Sequence, residues 1–177
     1  MILEENDFLQ HQLFLASVSP IKIRNRKRSR YINSFLILIW AGISFWNDSP
    51  YTAMFFGIAA VLFFIAFPYY SKWFHQRHYT KFVKEHLNDR FGKNIEFEFR
   101  EDCFYSKDDN GDGSIEYVDT EIIYETGDYF IINFTDGDSF LIAKNKVDNL
   151  EFIRHKIQEL QVNFGIPFEQ KLDWVWK

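Results

Sequence analysis

Two apolar runs decide the fold of this chain: YINSFLILIWAGISFW at Tyr31–Trp46 and YTAMFFGIAAVLFFIAFPYY at Tyr51–Tyr70. A helix rises about 1.5 Å per residue, so the second run spans roughly 30 Å, the thickness of a bilayer's hydrocarbon core. The first run spans roughly 24 Å, and its aromatic ends together with Arg30 would reach the interface and cover the shortfall. The runs therefore predict a hairpin of two transmembrane helices, with a buried helical hairpin of a soluble protein as the alternative.

Basic residues flank both outer ends of the hairpin. Six lysine and arginine residues lie within Lys22–Arg30, four more lie within residues 72–84, and the turn Asn47–Pro50 has none. Cytoplasmic loops carry an excess of lysine and arginine, so this pattern predicts that both termini are cytoplasmic. A nucleic-acid or nuclear-targeting patch is the alternative interpretation of Lys22–Arg30.

Charge divides the chain into a basic half and an acidic half. Residues 1–94 contain 12 lysine and arginine residues and 6 aspartate and glutamate residues, whereas residues 95–177 contain 8 and 19. This arrangement is typical of a soluble domain held near an anionic surface. Cys103 is the single cysteine, which fits a reducing compartment, and we expect no secretory signal peptide in residues 1–20.

Hydrophobic periodicity divides the chain further. Asn6–Ser17 is predicted to be a short amphipathic helix, and Ser71–Arg90 a helix that continues beyond the second apolar run. The predicted segments are 1–30 (amphipathic helix and basic juxtamembrane segment), 31–70 (hairpin, with helices at 31–46 and 51–70), 71–94 (juxtamembrane helix) and 95–177 (acidic domain).

From Ile95 the hydrophobic period changes to two, which indicates half-buried strands. Asp, Asn and Gly turns separate the candidates, so we expect an antiparallel meander. A helix at Asp148–Gln161 has one apolar face and would cover the sheet. The tail Phe168–Lys177, with Trp174 and Trp176, is either a packing tail or an interfacial anchor. The strand candidates are Ile95–Arg100, Cys103–Lys107, Ser114–Val118, Glu121–Glu125, Asp128–Phe134 and Ser139–Ala143.

Several short phrases follow one another along the chain: Glu5-Asn6-Asp7-Phe8, the basic run Lys22–Arg30, the two spans, Phe97-Glu98-Phe99, Ile115-Glu116-Tyr117, Glu125–Phe130 and Ala143-Lys144. In this order they resemble the YcxB-like family of bacterial membrane proteins. The C-terminal domain of that family is similar to bacterial pleckstrin-homology-like modules. The resemblance implies an inner-membrane protein whose cytoplasmic domain is a small β-sandwich or barrel with a capping C-terminal helix. Many relatives have proline where this chain has Ala143, and the resemblance implies no catalytic residues.

One segment, Asp108–Asp119, has the spacing of a calcium-binding loop. Asp108, Asn110 and Asp112 occupy the first, third and fifth positions, and Gly113 falls at the sharp turn. Against a calcium site, the twelfth residue is Asp119 instead of glutamate, and the preceding residues alternate as a strand does. The same residue types are favoured in hairpin turns. The sequence favours the turn.

The function predicted from these observations is protein binding. We expect a membrane protein that presents a cytoplasmic pleckstrin-homology-like domain to a protein partner, through its acidic surface or a sheet edge. A calcium-responsive sensor using Asp108–Asp119 is the alternative. His75 and His78 share a helix face but have no further ligand nearby in sequence. We therefore predict no catalytic, cofactor-binding or metal-binding residues, no enzymatic activity and no nucleic-acid partner.

Overall fold

Helices make up most of the first half of the chain, and all of the described strands lie in the second half. Within residues 1–109 and 111–176, which the computed structural model describes, the chain forms four α-helices and seven β-strands, an α+β fold. The helices are α1 (Glu5–Val18), α2 (Pro20–Trp46), α3 (Pro50–His86) and α4 (Leu150–Phe164). The strands are β1 (Glu96–Phe99), β2 (Cys103–Asp108), β3 (Gly111–Glu116), β4 (Thr120–Thr126), β5 (Tyr129–Phe134), β6 (Ser139–Ala143) and β7 (Phe168–Lys171).

The chain divides into two compact units. Met1–His11 and Phe82–Val175 form the first, which we call the sheet unit. Gln12–Lys81 and Trp176 form the second, which we call the helical unit. Asn110, the third position of the predicted calcium loop, and Lys177, the last residue of the predicted tail, lie outside the described residues.

Ser19 and Pro20 separate α1 from α2. Ser19 Oγ accepts a hydrogen bond from the backbone amide of Lys22 at 3.5 Å, and Pro20 occupies the start of α2, where its missing N–H has no partner to lose. As a result, α2 contains the basic run as well as the apolar one. The helix predicted at 31–46 is the second part of a longer helix.

Helix α3 joins the second apolar run to the segment that follows it. It continues without interruption from Pro50 through Pro68 to His86. The helix predicted to continue beyond the second apolar run is thus present, but it ends at His86 and a short 3-10 turn at Asn88–Arg90 follows.

Among the described residues, only α3 is long and apolar enough to cross a membrane by length and composition. Only 6% of its most apolar stretch of 18 residues is buried. The apolar run of α2 is shorter, with 16 residues, and follows directly on Arg30. The predicted hairpin of two membrane spans is therefore not confirmed.

The sheet unit contains two sheets. One has the strand order β1-β2-β3 and the other β6-β5-β4-β7. Consecutive strands within each group are antiparallel, as the turn residues predict, whereas β7 pairs with β4 in parallel. All six predicted strands are present, and Ser139–Ala143 has the predicted bounds. The largest difference in bounds is at β3, which begins at Gly111 because the β2–β3 turn is shorter than predicted.

One apolar core lies between the two sheets and α4. The rings of Phe104 on β2 and Phe140 on β6 meet edge to face, with centroids 4.5 Å apart. Helix α4 contributes Ile153, Ile157 and Leu160, all buried. The other buried core residues are Tyr117, Ile123, Phe130, Ile132, Phe134, Ile142 and Ile166.

Both ends of α4 are capped. The Asn149 side chain accepts a hydrogen bond from the Phe152 amide at 3.0 Å, and Gly165 ends the helix with a φ of 67°. The reversal at Gly165 allows the chain to return as β7 beside β4. The predicted tail is thus a strand at Phe168–Lys171, and Trp176 is buried in the helical unit, where Nε1 donates to the Lys72 carbonyl at 3.3 Å.

Ile157→Ala should destabilise the sheet unit. Ile157 is 1% exposed, and truncation of a buried isoleucine to alanine costs about 2–5 kcal/mol of unfolding free energy. Urea unfolding of the full chain in detergent measures this loss. Val162→Ala on the same helix is the control, because Val162 is 83% exposed and a surface change costs within about 0.5 kcal/mol. Equal losses in the two variants would contradict this core.

Candidate functional site

Strand β1 lies at an edge of its sheet, and among the described strands it pairs only with β2. An edge strand directs half of its backbone N–H and C=O groups away from its partner strand. Along β1, Phe97 and Phe99 are half-buried against Phe104, whereas Glu96 and Glu98 are exposed. The strand thus offers backbone groups and acidic side chains to an extended chain beside it.

The chain's own first residues pair with the segment that precedes β1. Ile2 forms an antiparallel bridge with Asn94, and the Ile95 amide donates to the Met1 carbonyl at 2.8 Å. The Gly92 amide donates to the Leu3 carbonyl at 3.0 Å. An extended segment therefore already occupies this edge as far as Ile95, and the pairing stops where β1 begins.

A groove of about 450 Å³ lies between β1 and the start of α4. We call it the β1–α4 groove, and define it by residues 95–99, residues 146–149, Met1, Phe152 and Ile153. Phe97 and Val147 are half-buried, and Phe152 is 49% exposed, so the groove contains apolar surface. Its exposed carboxylates are Glu96, Glu98 and Asp148.

Lys146 is the one lysine or arginine that lines the groove, and its ammonium group forms ion pairs with carboxylates among the first seven residues. Its Nζ lies 2.7 Å from Asp7 Oδ2 and 3.5 Å from Glu4 Oε1. Burial lowers the pKa of Lys146, but these carboxylates outweigh burial and raise it. The charge of Lys146 is thus offset within the unit, which leaves the groove acidic.

Asp7 fixes the N-terminal segment to the sheet unit. It is buried and accepts hydrogen bonds from Tyr129 Oη at 2.9 Å, Lys146 Nζ at 2.7 Å and the Glu4 amide at 2.8 Å. Burial raises the pKa of the Asp7 carboxyl, but the three donors outweigh burial and lower it. The pKa of the Tyr129 hydroxyl is shifted in the opposite direction, because burial and the Asp7 carboxylate both raise it.

Glu125 is a second buried carboxylate of the sheet unit that accepts three hydrogen bonds. It is 3% exposed, and it accepts hydrogen bonds from Lys144 Nζ at 2.8 Å, Arg154 Nη2 at 3.0 Å and Gln170 Nε2 at 2.8 Å. Burial raises the pKa of Glu125, but these donors outweigh burial and lower it. The ionised carboxylate therefore holds Lys144, Arg154 and Gln170 together.

The structure brings together two of the phrases on which the family resemblance was based. Lys144 of Ala143-Lys144 bonds Glu125 of Glu125–Phe130, and its Nζ also donates to the Thr126 carbonyl at 2.6 Å. The same ammonium lies 4.7 Å from the centre of the Phe130 ring. Sequence reasoning noted these phrases but did not predict that they meet.

The segment Asp108–Asp119 begins as a hairpin between β2 and β3. Asp108 pairs with Gly111, and Lys107 pairs with Asp112, so Asp108 and Asp112 point to opposite faces of the hairpin. Asp108 Oδ1 accepts from the Gly111 amide at 3.1 Å, and Asp112 Oδ2 accepts from Tyr105 Oη at 3.2 Å. A calcium loop needs these carboxylates to converge, so the geometry favours the turn.

Metal binding elsewhere has no support in the described part of the chain. No group of three or more histidine, cysteine, aspartate and glutamate residues lies close enough there to hold a metal ion. His75 Nδ1 lies 2.7 Å from the Ser71 carbonyl, within its own helix.

No family model, curated protein or solved structure matches the chain.

Sequence reasoning missed the β1–α4 groove. The alternation of residues 95–100 predicts a half-buried strand, but it does not say whether the strand is central or at an edge. The strand order depends on pairings between distant residues, and the groove depends on where α4 begins. The exposed position of Phe152, next to the buried Ile153, was the one available signal.

Stability of the sheet unit should fall as the pH drops from 6.5 towards 4 because of His11. His11 is 7% exposed, its Nε2 lies 2.9 Å from Ser139 Oγ, and burial lowers its pKa to about 4. Unfolding returns the pKa to about 6.5, so the unfolded chain binds the extra proton in this window. We expect a loss of about 1 kcal/mol between pH 7.5 and 5.5.

Urea unfolding of the full chain at the two pH values measures this dependence. His11→Gln keeps a polar nitrogen near the Nε2 position and should remove that part of the pH dependence. His155→Gln is the control, because the His155 side chain is 68% exposed. If His155→Gln changed the pH dependence and His11→Gln did not, the assignment of this dependence to His11 would be wrong.

Proposed function

We propose that the chain is a membrane-anchored protein whose sheet unit binds an extended, basic segment of a partner protein in the β1–α4 groove. The observation that carries this proposal is the groove itself, which combines a strand edge, apolar surface and three exposed carboxylates. Glu98 is paired with Arg100 at 3.0 Å, and Glu96 and Asp148 add further negative charge to the lining. Strand addition at a sheet edge derives affinity from backbone hydrogen bonds and specificity from side-chain pockets. The acidic groove would select lysine and arginine.

Exposed apolar side chains support the membrane location. Helix α2 exposes Phe35 by 64% and Leu36 by 50%, and α3 exposes Phe55 by 66% and Leu62 by 61%. Monomeric soluble proteins rarely expose contiguous apolar surface on this scale. We therefore propose that α2 as well as α3 crosses the bilayer, which completes the two-span hairpin. The basic residues at the outer ends then favour cytoplasmic termini.

The arrangement of the sheet unit supports a YcxB-like protein of the bacterial inner membrane. Sheets of three and four strands share a core with α4, in keeping with a pleckstrin-homology-like sandwich capped by a helix. Strand β7, which follows α4, departs from the pattern that the resemblance implies. We propose this family and location on the combined pattern.

Strand β3, at the opposite edge of the same sheet, is a weaker candidate for the site where the partner binds. Its residues Gly111–Ser114 are exposed and contain no apolar side chain. Glycine and charge on an exposed edge strand commonly prevent pairing with other chains. The β1 edge, with its half-buried phenylalanines, is better suited to hold a bound segment.

Site-specific photocrosslinking in cells tests the groove. A photoreactive amino acid in place of Phe152 should yield discrete adducts with a partner protein, because Phe152 lines the groove and is 49% exposed. The same amino acid in place of Val162, on the same helix but outside the groove, should yield none of those adducts.

Charge reversal then tests whether the partner is attracted by the groove itself or only by the overall negative charge of the sheet unit. Glu96→Lys with Glu98→Lys should abolish the Phe152 adducts, because a basic segment would be repelled. Glu116→Lys with Glu121→Lys changes the net charge equally on exposed residues outside the groove and should leave them intact. Equal loss in both double variants would contradict binding in the groove.

Membrane integration should be visible in cell fractionation. The two apolar helices predict that the chain stays with the membrane pellet after alkaline carbonate extraction and is released only by detergent. Cysteine labelling checks the orientation: a cysteine at Ser49, in the turn, should react with a membrane-impermeant reagent added outside the membrane, whereas Cys103 should not. Recovery of the chain in the soluble fraction would contradict the proposed location.

A further inference from the structure

The helical unit carries a strong positive charge at one end. Residues 12–81 contain nine lysine and arginine residues and one acidic residue, Asp48. Asp48 lies two residues beyond the end of α2 at Trp46, and a rise of about 1.5 Å per residue puts that end roughly 25 Å along the helix from Arg30. Within this unit, no aspartate or glutamate side chain is close enough to neutralise the basic end.

A cavity of about 240 Å³ lies between α2 and α3 at this end. Arg26, Lys27 and Arg30 line it from α2, and Lys72 and Ser71 line it from α3. Residues 23, 26, 27 and 30 are spaced by three and four positions, so they share one face of α2. Ile23, Phe67 and Pro68 supply its apolar lining.

Pro68 explains why Arg30 is held at this place. A proline within a helix has no N–H for the carbonyl four residues earlier, which here is the carbonyl of Phe64. Arg30 Nε donates to that carbonyl at 3.0 Å, and its guanidinium lies 3.8 Å from the centre of the Phe64 ring. Among the described residues, this bond engages Nε and leaves the two Nη nitrogens of Arg30 for an anion.

The cavity lies beside an aromatic belt. Tyr31, next to Arg30, is 62% exposed, and Tyr69 and Trp73, on α3, are 76% and 55% exposed. Exposed tyrosine and tryptophan at the ends of apolar helices mark the level of the lipid headgroups. The charged cavity would therefore meet headgroup phosphates and not acyl chains.

A second cavity, of about 450 Å³, adjoins the first and shares Arg26, Phe67 and Ser71 with it. Lys22 and Tyr79 line its outer part, and Lys22 Nζ donates to Tyr79 Oη at 3.2 Å. Neither cavity has an aspartate or glutamate among its described lining residues. Together the two cavities provide space for the phosphate of a headgroup and for the polar group attached to that phosphate.

We propose that the cavity formed by Arg26, Lys27, Arg30 and Lys72 binds the phosphate of an anionic phospholipid headgroup. Arginine nitrogens suit bidentate contact with phosphate oxygens, lysine adds point charges, and basic pockets between membrane helices on the cytoplasmic side are suited to anionic headgroups. The proposal rests on the membrane location proposed above and is independent of the β1–α4 groove.

Native mass spectrometry of the full chain, released from detergent micelles, tests the site. Phosphatidylglycerol and phosphatidylcholine are the two lipid probes, and we expect at least a tenfold preference for phosphatidylglycerol. Lys27→Gln with Lys72→Gln should remove most of that preference and leaves the Arg30 contact with Phe64 intact. Arg24→Gln with Arg28→Gln removes the same charge from α2 outside the cavity and should retain it.

Three results would overturn the proposal. Equal loss in both double variants would mean diffuse attraction to a basic surface, and no lipid preference in the wild type would mean no site. Displacement of phosphatidylglycerol by millimolar inorganic phosphate would point to a free anion as the ligand. Carbonate extraction of the same proteins separates these results from failure of the membrane location, since an unbound but integral chain stays in the pellet.

Discussion

The carboxylate of Glu125 joins four separate parts of the sheet unit. Glu125 lies on β4, and its donors come from the residue after β6, from α4 and from β7. Its charged donors, Lys144 and Arg154, are ten residues apart in sequence, and Gln170 follows sixteen residues after Arg154. Loss of one partner from a buried ion pair typically costs about 3–5 kcal/mol, so the placement of α4 and β7 depends on this carboxylate.

Local patterns predicted most of the elements. The alternation of Ile95–Arg100 and the Asp-Gly turns located the strands, because side-chain period and turn chemistry are local properties. The helix bounds were less accurate: α2 extends back to Pro20 because the basic run is helical, and α3 ends at His86, before the predicted end at Arg90. The strand β7 was missed because Phe168–Lys171 has little apolar alternation and pairs with β4, over 40 residues away.

The two candidate sites differ in how far the sequence could reveal them. The basic cavity has a local signature, since Arg26, Lys27 and Arg30 share a helix face and Pro68 marks a carbonyl that needs a donor. The β1–α4 groove has only Phe152 as a local signal, because the groove exists only once the order of strands and the start of α4 are fixed. Asp7 and Lys146 are 139 positions apart, and no local pattern could predict that they meet.

The pairing of Ile2 with Asn94 has a practical consequence. Because this pairing is antiparallel, a residue joined ahead of Met1 would fall opposite Glu96 and would run along β1. Any leader peptide or affinity tag at that end is thus a tethered competitor, present at an effective concentration of about millimolar for a short linker. Tags for isolating interaction partners belong at the carboxyl end.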